Sequence, residues 1–201
     1  MSVRVVAGSL KGRTLVTPSG LSTRPTAGRA REAMFSILGD VAGLRVLDLY
    51  AGSGALGIEA LSRGAARAVF VESERKAFAC LRDNVQALEL GRQVRLLSVR
   101  AESAARVLEA ECFDLVFCDP PWAMLDGALE VMARLVVRFT ENARVVLEHP
   151  ANLVPVIRGL VAVDARRWGD TGATFFELPA SESVTPPEVS ASEPPSGRET
   201  D

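Results

Sequence analysis

The stretch "VLDLYAGSGALGIEA", residues 46–60, constrains the fold more than any other part of this chain. A short apolar run, Leu44–Tyr50, ends in a glycine-rich loop, and Ala55–Arg63 then has helical character. A strand that turns through glycines into a helix starts a unit whose next strand is reached by crossing back over the sheet. Gly64 suits the left-handed cap that stops such a helix.

The same alternation continues. Strands are predicted at Ala68–Val71, Val94–Val99, Phe113–Cys118 and Ala143–Leu147, with Ser73 capping a helix that runs to about Leu90. Further helical stretches fall near Ser103–Ala110 and Leu125–Arg138, and β-like segments at Val161–Arg167 and Thr174–Leu178 close the pattern. Apolar strands alternating with helices predict an α/β, largely parallel sheet covered on both faces.

The first 43 residues differ. "VRVVAGSLKGRTLVTP" reads as a hairpin turning around Gly8–Gly12, with Arg4, Lys11 and Arg13 open to solvent. In "RPTAGRAREAMFSILG", Thr26 can cap a helix whose apolar positions Ala30, Ala33, Met34, Ile37 and Leu38 fall at helical spacing, and Gly39 ends it. Charge separates the ends of the chain. Residues 1–45 carry seven Arg and Lys against Glu32 and Asp40, a net of +5. Residues 180–201 carry Glu182, Glu188, Glu193, Glu199 and Asp201 against Arg198, in a Ser- and Pro-rich context with almost nothing to bury. Three regions are expected: a basic extension at 1–43 facing a polyanion, a main domain at 44–179, and a disordered acidic tail at 180–201.

No apolar run approaches the ~18 residues of a membrane span, and the beginning of the sequence lacks the apolar stretch of a secretory signal. Cys80, Cys112 and Cys118 show no paired spacing, so they read as small core residues in a reducing, cytoplasmic setting, with no metal site.

Within the glycine loop, Gly52, Gly54 and Gly57 have the G-x-G-x-x-G spacing, and Ser53 lies between the first two. That spacing alone also occurs in dinucleotide-binding chains. Asp48, four residues before the first glycine, is a poor neighbour for a pyrophosphate. It is a good one for a cationic amino-acid moiety such as that of S-adenosylmethionine. Glu72, ending the second strand of the alternation, is placed to accept from ribose hydroxyls at the same carboxyl edge. Asp48 as a loop-fixing acid, or a nicotinamide cofactor using Glu72, are the competing readings. The second leaves Asp48 and residues 119–122 unexplained.

The strand Phe113–Cys118 ends in Asp119, Pro120, Pro121 and Trp122. Asp and Pro are ordinary turn residues, but two prolines and a tryptophan add little to a plain turn. They do suit methylation of a base's exocyclic amine. An Asp carboxylate and a proline carbonyl can bind the two amine hydrogens and favour the pyramidal form with its lone pair exposed. Prolines stiffen the loop and carry no competing N–H, and the aromatic can stack on the base, a contact worth roughly 1–3 kcal/mol in single-strand binders.

Together "RVVAGSLKGR", "RPTAGRAREAMFSIL", "LDLYAGSGALGIEALSRGA", "FVE" and "DPPW", in that order across residues 3–178, resemble the bacterial 16S rRNA (guanine(966)-N2)-methyltransferase family. The resemblance implies a Rossmann-like, seven-stranded class I methyltransferase sheet with a small N-terminal hairpin and helix. It implies S-adenosylmethionine as cofactor and 16S rRNA of the assembling small ribosomal subunit as partner, with the protein acting as a monomer. It assigns Asp48, Gly52, Ser53, Gly54, Gly57 and Glu72 to the cofactor, and Asp119, Pro120, Pro121 and Trp122 to the target amine. Arg24, Thr26, Arg29 and Arg31 match the family's basic segment, with Lys11 and Arg13 of the hairpin beside them as substrate contacts. Two positions depart from the pattern. Trp122 stands where Phe or Tyr is usual, and Arg100 stands where an acid or amide would face the adenine, leaving that contact to the backbone near Ala101. An adenine-N6 methyltransferase on RNA or DNA, and a non-catalytic RNA-binding assembly protein, remain the alternatives.

Overall fold

The computed structural model describes residues 3–18 and 26–180. Arg24, the side chain of Thr26 and the tail from residue 181 lie outside the described residues. A two-stranded antiparallel ladder comes first: β1 (Val3–Arg4) pairs with β2 (Thr14–Leu15), Val3 opposite Leu15. Helix α1 (Thr26–Leu38) follows and ends at Gly39, which has φ +68° and donates its N–H to the Phe35 carbonyl. The main alternation is β3 (Arg45–Leu49), α2 (Ala55–Ser62), β4 (Arg67–Val71), α3 (Arg75–Ala87), β5 (Val94–Leu97), α4 (Ala101–Val107), β6 (Phe113–Cys118) and α5 (Leu125–Leu135). It closes with β7 (Phe139–Pro150), β8 (Val161–Trp168) and β9 (Thr171–Glu177).

These last seven strands form one sheet in the order β5-β4-β3-β6-β7-β9-β8. Neighbours from β5 to β7 are parallel, and β9 inserts antiparallel between β7 and β8. The chain therefore builds outward from β3 to β5 and then returns to β6 on the other side of β3. That reversal leaves a crevice above the carboxyl ends of β3 and β6, where open α/β sheets bind ligands.

Strand side chains alternate between two cores, as the pleat requires. Val46, Phe70, Phe117, Val146 and Phe175 face Met34 and Phe35 of α1 and Ile58 of α2. Leu47, Leu49, Val116, Cys118 and Leu147 face Leu108, Met132 and Leu135. Helices on both faces explain why the strands read as nearly continuous apolar runs.

Four details differ from the sequence reading. The cap of α3 is Glu74, whose carboxylate accepts from the Ala77 N–H at 2.6 Å, one residue later than Ser73. Strand β7 runs from Phe139 to Pro150 and is much longer than its apolar centre, because backbone pairing with β6 and β9 extends beyond the apolar residues. His149, whose place before Pro150 at the end of a predicted strand reads in the sequence as a loop, is buried in β7 with Nε2 2.8 Å from Thr174 Oγ1. Cys112 is exposed, so only Cys118 of the three cysteines behaves as a core residue.

Candidate active site

The glycine loop forces the backbone through an unusual path. Tyr50, Gly52 and Gly54 all have positive φ, at 57°, 56° and 84°. Glycine takes that conformation without penalty. Tyr50 does not, so the surrounding structure must hold it in this less populated conformation at the lip of the crevice. Gly57 serves packing instead: a Cβ there would lie 2.4 Å from Phe70 Cε1. The close approach lets the Gly57 N–H donate to Asp48 Oδ2 at 2.9 Å.

Asp48 is only 1 % exposed, and burial pushes its carboxyl well above the usual carboxylate range, against the opposing Gly57 N–H. A cationic amine arriving beside it would supply the missing counter-charge. Glu72 spans the loop: one oxygen accepts from the Gly52 N–H at 2.8 Å and the other from the Glu74 N–H at 2.6 Å. Each oxygen keeps a lone pair for a hydroxyl.

Two cavities open at this edge. The smaller, about 180 Å³, is lined by Asp48 and Ser53 on one side and by Val3, Thr17 and Pro18 of the N-terminal segment on the other. The larger, about 570 Å³, runs past Glu72, Ser73 and Glu74 to Pro120, Pro121 and Trp122. Tyr50, Gly52 and Asp119 border both. The Tyr50 hydroxyl, buried at this junction, has no hydrogen-bond partner among the described residues. An orphaned hydroxyl of this kind is costly unless a ligand completes it. Sequence reasoning passed over Tyr50, although an aromatic between a strand and a glycine turn was the available signal.

Asp119 continues β6 by donating its N–H to the Leu49 carbonyl at 3.4 Å. Asp119 is exposed as a residue, yet desolvation by the surrounding protein pushes its carboxyl up to about 6. The Pro121 carbonyl accepts from the Met124 N–H at 2.7 Å, closing a 3-10 turn over Trp122–Met124. The Pro120 carbonyl receives no backbone donor among the described residues, and Pro120 lines the larger cavity. Trp122, 46 % exposed, stands at the mouth.

The remaining predicted residues divide. Lys11, Arg13 and Arg29 are exposed; Arg13 also donates to the Ala87 carbonyl at 2.9 Å. Arg31 is 6 % exposed and turned inward, 3.5 Å from the fully buried Glu59, with a further bond to the Arg4 carbonyl. It holds α1 and β1 against α2, and its burial leaves no surface for an RNA chain to touch. Ala101 is buried at the head of α4 and lines neither cavity.

The described residues fit S-adenosylmethionine: an acid for the amine, a second acid for the ribose, a glycine turn, and an orphaned hydroxyl between the two cavities. Among those same residues no cluster of His, Cys, Asp or Glu could hold a metal ion, and no helix is long and apolar enough to cross a membrane.

Comparison with known proteins agrees. The family described as "Conserved hypothetical protein 95" matches residues 3–177. A relative from Bacillus subtilis strain 168, "Putative rRNA methyltransferase YlbH", is 35% identical over 87% of this chain and 98% of its own length. "Ribosomal RNA small subunit methyltransferase D" of Escherichia coli strain K12 is 38% identical over 67% of this chain and 66% of that protein. The solved structure "Putative methyltransferase yhhF from Escherichia coli" superposes with a TM-score of 0.76 at 29% identity, covering 90% of this chain and 100% of that one. With this fold, this glycine turn and this Asp-Pro-Pro-Trp tip, the chain belongs to the family of bacterial small-subunit rRNA methyltransferases of the D type.

Proposed function

We propose that this protein methylates the exocyclic N2 amine of a guanine in 16S rRNA during small-subunit assembly. The reading rests above all on Asp119: its carboxylate borders both cavities, beside a proline carbonyl that no backbone donor occupies. S-adenosylmethionine supplies an electrophilic methyl when bound. The chain's own residues hold the acceptor in line with it. Asp119 and the Pro120 carbonyl each take one hydrogen of the amine, freeing the nitrogen lone pair, while Trp122 stacks on the base. Positioning of this kind supplies about 7–11 kcal/mol of a barrier. One charge-assisted hydrogen bond supplies roughly 1.5–3 kcal/mol, so orientation dominates and no strong base is required. The methylated nitrogen, now cationic, passes its extra proton to the Asp119 carboxylate. Lys11, Arg13 and Arg29, with Arg24 beyond the described residues, supply the positive surface for the rRNA phosphates.

The test is incubation with methyl-labelled S-adenosylmethionine and, separately, unmodified small subunits, naked rRNA and duplex DNA, followed by nucleoside chromatography. Label in N2-methylguanosine from subunits is the expected result. Label in N6-methyladenosine would retain the chemistry and replace the base. Cofactor binding without label in any substrate would make the protein a non-catalytic RNA binder.

A further inference from the structure

Beside the Asp-Pro-Pro-Trp tip lies a second carboxylate that neither the motif nor the fold requires. Cys118 of β6 pairs with Leu147 of β7, so the next residues on the two strands, Asp119 and Glu148, are neighbours at the carboxyl edge of the sheet. The pleat puts them on one face. Phe117 and Val146, two residues before them, lie in the core beneath α1 and α2, whereas Cys118 and Leu147 lie in the opposite core. Ala173, the β9 partner of Glu148, also lies on the α1 and α2 side. Asp48 of β3 lies on the same face, level with Phe117 and so two residues below Asp119.

Glu148 is half-buried, and no hydrogen bond or ion pair among the described residues engages its carboxylate. Burial and the negative charges of Asp119 and Asp48 push its carboxyl well up, while the charge of Arg31 pulls it down. Arg31 is committed at close range to Glu59, so it moderates Glu148 without neutralising it by contact. Asp119 borders the crevice and Glu148 is its neighbour on β7, so the two, when both are ionised, form an acceptor pair that repels itself when empty. Such a pair favours a ligand edge that presents adjacent N–H donors.

Among the four bases, only guanine offers a ring N–H next to an exocyclic amine on its pairing edge. Adenine and cytosine place a bare ring nitrogen there, whose lone pair would face a carboxylate. Building on the guanine reading above, we propose that Glu148 accepts the N1–H of the target guanine while Asp119 accepts from its N2 amine, so that Glu148 selects guanine over adenine. The selection works by rejection as much as attraction, because the wrong base leaves a charge unpaired.

The experiment uses small subunits rebuilt with 2-aminopurine at the guanosine that takes the label. This base keeps the C2 amine and lacks the N1 hydrogen. The full chain should methylate 2-aminopurine about ten- to a hundredfold less efficiently in kcat/KM than guanine, the value of one hydrogen bond to a charged group. Glu148→Gln should lower the guanine rate and narrow the ratio by about tenfold, because its amide can donate to a bare N1. Cofactor affinity, measured by calorimetry, should stay within a few-fold.

Equal rates on the two bases with the unaltered protein would overturn the inference without recourse to any variant. An unchanged ratio in Glu148→Gln, with both rates lowered together, would make Glu148 a structural partner of Arg31 and overturn it as well. Label in N6-methyladenosine would instead refute the guanine reading itself, and the inference would fall with it.

Discussion

Asn84 ties Ser53 to Val16. Its Nδ2 donates to the Ser53 carbonyl and to the Val16 carbonyl, both at 2.9 Å, and its Oδ1 accepts from the Val16 N–H at 2.7 Å. The side chain is 2 % exposed, and its three bonds join α3 to two pieces of the site. Ser53 belongs to the cofactor turn, and Val16 leads into Thr17 and Pro18, which form the opposite wall of the smaller cavity. One buried amide thus sets the width of that cavity.

Asn84→Ala should therefore cost about 1–3 kcal/mol of stability, since it removes three hydrogen bonds to partly buried backbone groups. S-adenosylmethionine affinity should fall by more than tenfold. Urea unfolding and calorimetry measure the two effects. A stability loss with unchanged affinity would show that the wall is set by other contacts.

Asp119 must be ionised to accept from an amine. Its carboxyl is pushed up to about 6 by desolvation, so kcat/KM should fall as the pH drops through 6, with a limiting slope of one. In Asp119→Asn that inflection should vanish. The sign for stability is opposite to that of a paired acid. A raised folded value means the ionised form is disfavoured by folding, so Asp119 subtracts stability as pH rises from its unfolded value of about 4 through 6. Asp119→Asn should consequently melt higher than the parent at pH 8 and alike at pH 4. A lower Tm at pH 8 would refute this account of the carboxylate.

Much of this site was legible in the residue order. Strand ends bearing Asp48, Glu72 and Asp119 all fall on the carboxyl edge because parallel strands share a direction, and apolar runs ending in acids are visible without coordinates. The hairpin and its glycines were visible for the same local reasons. Lateral partners were not. Arg31 reads as one more base in a positive segment, and only the docking of α1 on α2 shows that it meets Glu59. Asn84 and Glu148 sit inside ordinary helix and strand patterns, and their roles depend on which strand or loop lies beside them. His149 failed for a related reason: a Pro after a His suggests a loop, but β9 pairs with β7 through His149 and Pro150 and keeps both in the sheet.

Glu59 anchors the N-terminal segment to the cofactor helix. Fully buried, it accepts from the Val6 and Ala7 N–H groups at 2.7 and 2.9 Å, and its other partners are Arg31 and, at 2.9 Å, Arg63. Glu59→Ala leaves a buried arginine and two amides without their acceptor, a change that costs about 3–5 kcal/mol in comparable buried pairs. Glu59→Gln keeps the shape and should cost less than half as much. Equilibrium denaturation of the two variants should rank them in that order. Equal losses would mean that the charge, and not the loss of acceptors, carries the effect.

Gly57 offers the sharpest separation of packing from chemistry. A methyl there would stand 2.4 and 2.7 Å from the Phe70 ring and 3.1 Å from Asp48 Oδ2, and neither a buried ring nor a buried carboxylate can step aside freely. The relief available is a shift of α2 away from β4, which also carries the Gly57 N–H away from Asp48. Gly57→Ala should therefore lose about 1–3 kcal/mol by overpacking, although alanine favours helix by up to about 1 kcal/mol over glycine. Cofactor affinity should drop by at least tenfold, because Asp48 loses the bond that aims it. Phe70→Leu in the same chain removes the ring that Gly57 accommodates. The double variant should regain part of both losses, and a strictly additive double variant would place the clash elsewhere than between residues 57 and 70.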